Sequence, residues 1–433
     1  MRSIPPWPPV PIWKNTSKSD LSTSFALLKA LGNPHNNLPP TIHVAGTNGK
    51  GSSLAMLRSI FIKGGYKVHT YTSPHLVEFN ERINLANIPI TDSQLEYYLG
   101  KTKEAAEQNN VQPTFFEGIT AAAFLAFSEI KADVLLLETG LGGRLDCTNV
   151  VTAPLATIIT PISYDHMEFL GHDIKQIALE KAGIIKANVP CIIGPQVREV
   201  QEVLIDACSK MNAPSFCYEF DYIAQKTNSG FQYSSQKYNL ELPAPNLLGD
   251  HQILNAASVI ATILLINEKF RITNDQIASG ITSAYWPGRI QAVDAQKILK
   301  LTGRDDIKIF LDGAHNDGGA QVLAHWAQQY LSGPIYGPIF LILGMTRKRN
   351  ATSFCSYFKD IVHCGIAVGV ESEPSSYNAS ILAENASKSG IDFSASDSLL
   401  KAIDQIASNF NTPVTIIITG SLFLVADYLN INI

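Results

Sequence analysis

The sequence predicts an α/β protein in which helices cover mostly parallel sheets. From Thr41 onward, short apolar runs alternate with segments of helical periodicity, beginning with TIHVAG (41–46) and a helix from about 52 to 63. This alternation is typical of βα units and therefore of a parallel sheet. It restarts later in the chain with KIFLD (308–312) and IFLILG (339–344). The other predicted strands, all short and apolar, are 68–73, 134–138, 156–162, 191–194, 365–370 and 414–420.

The chain of 433 residues is too long for one ordinary core, so we expect two domains. The WPG tripeptide at 286–288 interrupts the pattern and places the boundary near 290. This predicts a first domain over 1–289 and a smaller, Rossmann-like α/β domain over 290–433. The polar and aromatic stretch 213–246 indicates short antiparallel strands or an insertion, and the first forty residues indicate a lead-in. The clearest predicted helices, each with apolar residues at helical spacing, are 21–31, 115–129, 251–266, 318–331 and 399–406.

Composition and charge exclude several classes of protein. Apolar residues make up 45% and charged residues only 16%, as in a globular chain with a packed core. The formal net charge of −5 argues against non-specific binding to nucleic acid, which requires a basic surface. The six cysteines form no CxxC pair, and the longest apolar runs, such as 259–266, are far shorter than the roughly 18 residues that span a bilayer. We therefore expect reduced, buried thiols in a soluble, cytoplasmic protein.

The motif AGTNGKGS (45–52) is the strongest chemical signal, because it lies where an apolar strand gives way to a helix. Glycines let backbone N–H groups turn toward an anion, the helix start contributes its positive dipole end, and Lys50 supplies a charge for terminal phosphates. The spacing departs from the usual P-loop pattern, since only Thr47 and Asn48 separate Gly46 from the GKG segment that follows. A glycine-rich turn without a ligand is the alternative. We favour phosphate binding, and hence an N-terminal domain of the P-loop ATPase type.

Two further strand ends carry acidic or basic side chains. Glu138 ends the apolar run LLLE and precedes a glycine-rich loop, where it could hold Mg²⁺ beside a triphosphate or could be a solvated loop acid. Asp165 and His166 follow the strand 156–162, and a lone histidine is more often a satisfied, half-buried side chain than a ligand. That interpretation also applies to His43. Lys181, in the helical segment EKAGIIK, would by itself be a surface lysine.

Together these segments resemble the folylpolyglutamate synthase and dihydrofolate synthase family, relatives of the ATP-dependent Mur ligases. The resemblance covers nearly the whole chain, and ten motifs in order are far more specific than one. The motifs are AGTNGKGS, TSPHLVEFNERI (72–83), PTFFEGITAAAF (113–124), LLLETGLGGRLDCTN (135–149), TPISYDHMEFLG (160–171), EKAGIIK (180–186), HQILNAA (251–257), WPGR (286–289), LDGAHN (311–316) and TGSLFLV (419–425).

The resemblance implies roles for individual residues. It implies ATP and two Mg²⁺ ions as cofactors, with Lys50, His166, Lys181 and Arg289 as catalytic residues and Lys181 carried as a carbamate. The residues implied in metal binding are Ser73, Glu138 and His166. The residues implied in nucleotide binding are Thr47, Asn48, Gly49, Lys50, Gly51, Ser52, Asn255, Arg289, Asp312 and His315. Phe116 and Glu117 would form part of a pterin pocket in the first domain, and the second domain would be the glutamate ligase domain.

The activity implied is ATP-dependent addition of L-glutamate to dihydropteroate, to folylglutamates or to both, through an acyl phosphate. We favour the bifunctional enzyme, because PTFFEGITAAAF resembles the bacterial bifunctional members. Folylpolyglutamate synthase alone and a P-loop ATPase without ligase activity remain alternatives, and a Mur peptidoglycan ligase is disfavoured because only 45 residues precede Gly46. We expect a monomer that binds small molecules and neither nucleic acid nor membrane. One departure is that Arg349 and Asn350 replace the Lys-Asp pair usual in the family.

Overall fold

The computed structural model describes residues 7, 20–331, 333 and 335–431. Of the predicted lead-in, 1–6 and 8–19 lie outside the described residues. The chain divides into two compact units. The first contains the chain up to Asn246 together with Gln252–Tyr285, and the second contains Leu247–His251 and the chain from Trp286 onward.

The first unit is built around a mostly parallel sheet that, within the described residues, has eight strands in the order β4-β3-β2-β5-β1-β6-β7-β8. Strands β2, β5, β1, β6, β7 and β8 run parallel, while β3 and β4 form an antiparallel hairpin at one edge. The predicted α/β class is thereby confirmed. The strands are β1 (Thr41–Ala45), β2 (Val68–Tyr71), β3 (Ile83–Leu85), β4 (Ile88–Pro89), β5 (Val134–Glu138), β6 (Ala156–Ile159), β7 (Cys191–Ile193) and β8 (Ser215–Cys217).

Helices cover both faces of this sheet, and their apolar sides form its cores. One core joins the sheet to α2, α8 and α9, and another packs α1, α3 and α4 against the opposite face. Helices α6 and α7 pack over the strands β6 and β7. The helices are α1 (Ser22–Ala30), α2 (Lys50–Lys63), α3 (Asp92–Gln108), α4 (Phe115–Glu129), α5 (Met167–Leu170), α6 (Ile174–Ala182), α7 (Arg198–Lys210), α8 (Asp250–Phe270) and α9 (Asn274–Ser283).

The polar stretch 213–246 forms a separate antiparallel sheet of β9 (Tyr222–Thr227), β10 (Gly230–Ser235) and β11 (Asn239–Pro243), as predicted. Its buried aromatic residues, among them Tyr222 and Phe231, belong to the same core as α8. Among the described residues, α8 is the one helix that is long and apolar enough to cross a membrane. However, 61% of its most apolar 18-residue stretch is buried inside the protein. Its apolar character therefore matches its place in the core.

The second unit contains a mostly parallel sheet whose described strands follow the order β12-β13-β17-β14-β15-β16. Helices α11, α12 and α13 share one core with this sheet. The strands are β12 (Gln291–Ala292), β13 (Ile307–Leu311), β14 (Ile339–Leu343), β15 (Cys364–Ala367), β16 (Phe393–Ala395) and β17 (Val414–Thr419). The helices are α10 (Ala295–Thr302), α11 (Asp317–Tyr330), α12 (Ala351–Ser356), α13 (Ala379–Ser387), α14 (Leu399–Asn409) and α15 (Leu422–Leu429).

The departure from the family pattern at Asn350 has a local structural role. Asn350 precedes α12, and its side-chain oxygen accepts a hydrogen bond from the Ser353 backbone N–H at 3.0 Å. Asparagine and aspartate cap helix N-termini about equally well, so the loss of the acid leaves the helix capped.

Candidate active site

The candidate site of the first unit lies at the carboxyl ends of three adjacent parallel strands, β5, β1 and β6. The loop 46–49 follows β1, the loop 139–146 follows β5, and the segment 160–166 follows β6. In open α/β sheets, ligands bind at this edge. The topology therefore brings the three strongest sequence signals together.

The glycine-rich loop after β1 packs closely against Thr160 and Asn255. A Cβ at Gly46 would overlap the Thr160 hydroxyl, and a Cβ at Gly49 would lie 2.7 Å from Asn255 Oδ1. Gly49 also has a φ of 89° and immediately precedes α2, which begins at Lys50. Only glycine meets both the steric and the backbone requirement at these two positions. The loop thus leads directly into a helix N-terminus, the usual geometry for binding phosphate.

Backbone and side-chain contacts fix the remaining predicted residues of this loop. The Thr47 and Asn48 amides both donate to the carbonyl of Pro161, at 3.0 and 3.1 Å. Ser52 is buried in the first turn of α2 and accepts from Gln252 Nε2 at 3.3 Å. Asn255 donates to Gln252 Oε1 at 3.0 Å. The structure therefore groups the six residues predicted in the loop with Asn255: Thr47, Asn48, Gly49, Lys50, Gly51, Ser52.

Two lysines converge on one backbone oxygen. Lys50 Nζ donates to the Gly46 carbonyl at 3.1 Å and to the Thr47 carbonyl at 3.3 Å. Lys181 Nζ donates to the same Gly46 carbonyl at 2.8 Å. Lys181 is only 5% exposed, so its interpretation as a surface lysine is wrong. Its burial arises from the close packing of α6 on the loop after β5, which helical periodicity alone does not reveal.

The environment of Lys181 favours its neutral form. Burial, with the positive charge of Lys50 adding to it, lowers the pKa of Lys181 from 10.5 to about 7. The carboxylates Asp165 and Asp146 act in the opposite direction. A lysine with this pKa is largely an unprotonated amine at slightly alkaline pH. It can therefore act as a nucleophile toward a small electrophile.

Two glycines make the close packing around Lys181 feasible. A Cβ at Gly143 would lie 2.7 Å from the Glu180 carbonyl oxygen, and a Cβ at Gly183 would overlap the Arg144 backbone. The Arg144 amide also donates to the Glu180 carbonyl at 2.7 Å. The end of α6 and the loop after β5 thus meet backbone to backbone.

Glu138 is buried at the end of β5 and faces Ser73, which follows β2, and Lys50, at the start of α2. Its carboxylate accepts from the Ser73 backbone N–H at 3.2 Å and lies 3.9 Å from Lys50 Nζ. The buried guanidinium of Arg82, which donates to His75 Nδ1 at 2.9 Å, also carries an electrostatic interaction with Glu138. The structure therefore brings together Ser73 and Glu138, two of the predicted metal-binding residues.

The donor set fits a hard divalent cation that is completed by other ligands. Glu138 and the Ser73 hydroxyl are oxygen donors, which Mg²⁺ prefers. Among the described residues, no three His, Cys, Asp or Glu side chains are close enough to hold a metal ion by themselves. Mg²⁺ commonly binds through one or two carboxylates together with water and substrate phosphates, so this arrangement fits such an ion.

His166 immediately precedes the short helix α5 and has a left-handed backbone conformation, with a φ of 49°. Its side chain is 41% exposed, and its Nε2 lies 3.8 Å from the buried Asp165 Oδ1. Its backbone N–H donates to the same oxygen at 2.8 Å. His166 thus lies after β6 at the same edge of the sheet as Glu138, with its side chain open to solvent.

The predicted pterin residues differ in their surroundings. Phe116 lies against Gly140, where a Cβ would overlap its ring, and packs beside Tyr71 with ring centroids 6.0 Å apart. Glu117 is buried and caps α4, accepting from Thr114 Oγ1 at 2.8 Å. Glu117 also accepts from Ser24 Oγ at 2.9 Å. Glu117 therefore stabilises the start of α4, and its role toward a pterin remains a prediction.

Three predicted nucleotide residues lie together in the second unit. Asp312 follows β13 and accepts from the amides of Ile290 and Ala314, both at 2.8 Å. Burial raises the pKa of Asp312, and Arg289 opposes this effect. His315 Nδ1 lies 2.8 Å from the Gly313 carbonyl oxygen. Arg289, Asp312 and His315 therefore form one local cluster at the carboxyl end of β13.

Sequence reasoning missed three buried residues of the first unit. Asp146 organises the loop after Glu138, Arg82 stands beside Glu138, and Gln252 joins Ser52 to Asn255. Each lies inside or next to a quoted motif, but an isolated Asp, Arg or Gln in a loop or helix carries no periodic signal. His43 also differs from its interpretation as a satisfied, half-buried histidine, because it is fully buried and its Nδ1 has no hydrogen-bond partner among the described residues.

Comparisons with known proteins agree with this geometry. Residues 44–263 match the Mur ligase middle domain. The dihydrofolate synthase/folylpolyglutamate synthase of Bacillus subtilis is 34% identical, over 95% of this chain and 94% of that protein.

Solved structures give the same result. FolC from Escherichia coli, in complex with DHPP and ADP, superposes with a TM-score of 0.84 and 27% identity, covering 96% of this chain and 94% of that one. The bifunctional folylpolyglutamate synthase/dihydrofolate synthase of Yersinia pestis, complexed with AMPPNP and Mn ion, gives a TM-score of 0.83 at 25% identity, covering 96% and 94%. The resemblance found in the motifs is confirmed, and the chain belongs to the dihydrofolate synthase/folylpolyglutamate synthase family of Mur-type ligases.

Proposed function

We propose that this protein is an ATP-dependent ligase that joins L-glutamate through an amide bond to folates. The observation that carries the proposal is the meeting of Lys50, Lys181 and Glu138 around the glycine-rich loop of a P-loop-type unit. Such a site suits phosphoryl transfer from a nucleoside triphosphate, in which positioning and charge neutralisation provide most of the catalysis. The names of the relatives supply the substrate class, since they are dihydrofolate and folylpolyglutamate synthases that the chain matches over nearly its whole length.

The reaction requires two stages. A carboxylate is a poor acylating agent, so the carboxylate of the folate first attacks the terminal phosphate of ATP, releasing ADP and giving an acyl phosphate. The amine of glutamate then attacks the acyl carbon, the amide forms, and phosphate leaves through a tetrahedral intermediate. Negative charge grows on the transferred group in the first stage, and the site must neutralise it.

Residues of this chain divide that work. The loop 46–52 would hold the phosphates, with Lys50 compensating their charge and Ser52 and Asn255 fixing the loop. In the second unit, Arg289 would contact phosphate, with Asp312 and His315 at the nucleotide. Magnesium, when bound, supplies further compensation of the phosphate charge. Ser73, Glu138 and His166 would hold it, and we propose two such ions.

Lys181 suits a carbamate. Its neutral amine can attack carbon dioxide, forming a C–N bond and releasing one proton, and the product is an anion. A buried anion beside Lys50 replaces the repulsion between two cations by attraction, so it would help to orient the metal and the phosphates.

The proposed division of labour follows the two domains. Residues 1–289 would bind the phosphates of ATP and the pterin, with Phe116 and Glu117 lining part of the pterin pocket. Residues 290–433 would form the glutamate ligase domain. We propose the bifunctional enzyme, which adds the first glutamate to dihydropteroate and later ones to folylglutamates. The protein would act as a cytoplasmic monomer in folate biosynthesis and one-carbon metabolism, with small molecules as its substrates and with neither nucleic acid nor membrane as a partner.

The decisive experiment measures ADP release with ATP and Mg²⁺ while glutamate and the folate acceptor are each omitted in turn. A ligase releases ADP only when both are present, and mass spectrometry detects the glutamylated product. Parallel reactions with 7,8-dihydropteroate and with tetrahydrofolate separate the two activities. ADP release that is independent of glutamate would indicate the alternative, a P-loop ATPase without ligase activity. Product from tetrahydrofolate alone would leave folylpolyglutamate synthase.

A matched pair of lysine variants ties the activity to the loop. We expect Lys50→Ala to lower turnover at least about 10²-fold while the fold persists, because a preorganised charge on the transferred phosphoryl group is lost. Lys63→Ala, at the exposed end of the same helix, removes a lysine that is remote from the loop and should leave turnover unchanged. Near-normal turnover of Lys50→Ala would mean that the phosphates bind elsewhere.

A further inference from the structure

Three buried polar side chains form a continuous hydrogen-bonded chain behind the loop that follows Glu138. His43 lies in the middle of β1, Thr148 lies in the 3-10 helix Cys147–Val150, and Asp146 immediately precedes that helix. His43 and Thr148 are completely buried and Asp146 is 4% exposed. The mechanism above assigns no role to any of the three. We call them the His43–Thr148–Asp146 relay.

The directions of the hydrogen bonds in the relay follow from its chemistry. The Thr148 hydroxyl donates to Asp146 Oδ1 at 2.5 Å, and the Thr148 amide donates to the same oxygen at 3.0 Å. A hydroxyl has one proton, so Thr148 Oγ1 must accept in its contact of 2.9 Å with His43 Nε2. His43 is therefore the tautomer with its proton on Nε2. Burial, assisted by the nearby charge of Lys186, lowers the pKa of His43 to about 3, so the ring is neutral at physiological pH.

At the other end of the relay, Asp146 binds the backbone of the loop that follows β5. Asp146 Oδ2 accepts from the backbone N–H groups of Gly140 and Leu141, both at 2.8 Å. These are the second and third residues after Glu138. Burial raises the pKa of Asp146, and the four hydrogen bonds that its carboxylate accepts oppose this effect by favouring the ionised form. The relay thus runs from the interior of β1 to the backbone that leaves β5.

Folding alone does not favour this arrangement. His43 stands between the apolar residues Ile42 and Val44 of β1, and its Nδ1 is buried without a hydrogen-bond partner among the described residues. A buried polar atom left unsatisfied costs stability, which an apolar residue such as valine would avoid at this position of a strand. What the histidine does supply is a hydrogen bond that fixes the rotation of the Thr148 hydroxyl toward Asp146.

We propose that the His43–Thr148–Asp146 relay holds the backbone at Gly140 and Leu141 and thereby fixes the direction in which Glu138 presents its carboxylate to a divalent cation. Asp146 is then a positioning residue, and His43 and Thr148 orient it. The inference rests on the proposed function, because it takes the cation to be the one that accompanies ATP. Groups that orient a metal ligand commonly change metal affinity or activity 10- to 100-fold when they are removed.

The test uses two substitutions of Thr148 that differ by one hydroxyl group. Thr148→Val keeps the shape of the side chain and removes the hydroxyl, whereas Thr148→Ser keeps the hydroxyl. Three quantities are measured on the full-length protein. Electron paramagnetic resonance measures the binding of Mn²⁺ in the presence of ADP. The other two are the binding of ADP without metal and the hydrogen exchange of the Gly140 and Leu141 amides. We expect Thr148→Val to bind Mn²⁺ about 10- to 100-fold more weakly and to exchange both amides faster, with ADP binding unchanged. Thr148→Ser should restore Mn²⁺ binding and amide protection.

Each other outcome has a definite meaning. Unchanged Mn²⁺ affinity in Thr148→Val, or equal losses in both variants, would overturn the relay. If Thr148→Val does not fold, Asp146→Asn is measured instead. The asparagine amide has the size of the carboxylate, but its NH₂ group faces N–H donors on one side, so the hydrogen bonds on that side are lost. Its Mn²⁺ affinity and amide protection must then fall, and wild-type values would overturn the relay. A wild-type protein that binds Mn²⁺ with ADP but lacks glutamate-dependent ligation would overturn the proposed function and leave the relay standing on its own measurements.

Discussion

The lowered pKa of Lys181 makes the neutral amine, the form that reacts with carbon dioxide, far more abundant at this lysine than at an ordinary lysine. With a pKa of about 7, about 90% of Lys181 is a neutral amine at pH 8, whereas a lysine of pKa 10.5 is neutral in about 0.3% of molecules. The nucleophilic form is thus about 300-fold more abundant at Lys181. Among the lysines we expect a single carbamate, and we expect it on this residue.

The assay is ¹³C nuclear magnetic resonance of the protein in ¹³C-labelled bicarbonate at pH 8. Wild type should show one lysine carbamate signal, Lys181→Met should lack it, and Lys63→Met, at an exposed position, should keep it. Because the amine must be neutral to react, the rate of carbamate formation at a fixed concentration of dissolved carbon dioxide should rise with pH through a midpoint near 7 and level off above it. A signal that survives in Lys181→Met would refute this reasoning, as would a rate that is still rising steeply at pH 9.

Two predictions concern stability. Because folding lowers the pKa of Lys181, the unfolded chain binds more protons than the folded chain between about pH 7 and 10.5, so the free energy of unfolding rises with pH in that window. In denaturant titrations without carbon dioxide, the free energy of unfolding of wild type should gain about 2 kcal/mol over that of Lys181→Met from pH 7 to pH 9. An equal pH dependence in the two proteins would contradict the low pKa. Gly183→Ala should destabilise the protein by about 1–3 kcal/mol, because its Cβ would overlap the Arg144 backbone. Its control, Gly100→Ala on the exposed face of α3, meets open space and should stabilise by about 0.5–1 kcal/mol, and similar effects of the two changes would argue against the close approach.

The fold could be predicted from the sequence largely because buried strands and amphipathic helices carry periodic signals. The run 134–138 is a strand with the predicted ends, and 115–129 is a helix with the predicted ends. The strand predicted over 156–162 ends at Ile159 instead, since Pro161 cannot continue a ladder. The β3–β4 hairpin was missed because its strands are only three and two residues long, too short to show alternation.

The candidate site could be predicted in part, for a different reason. Glu138 ends β5 and Lys50 begins the helix after the loop that follows β1, so the parallel topology of these neighbouring strands brings the two residues together. The burial of Lys181 depends on backbone contact between two segments that are distant in sequence, and the glycines that permit it look like ordinary loop glycines. Asp146 was missed in the same way, because its four donors come from a loop whose path no local pattern specifies.

The antiparallel sheet of β9, β10 and β11 bears on how fragments of this protein should be cut. Its inner side chains, including Phe231, Tyr233 and Leu242, are buried in the core that contains α8. Expression of the first unit therefore requires residues 222–243 and 250–270 in the same piece. A fragment that lacks the small sheet would expose the apolar side chains of α8 to water.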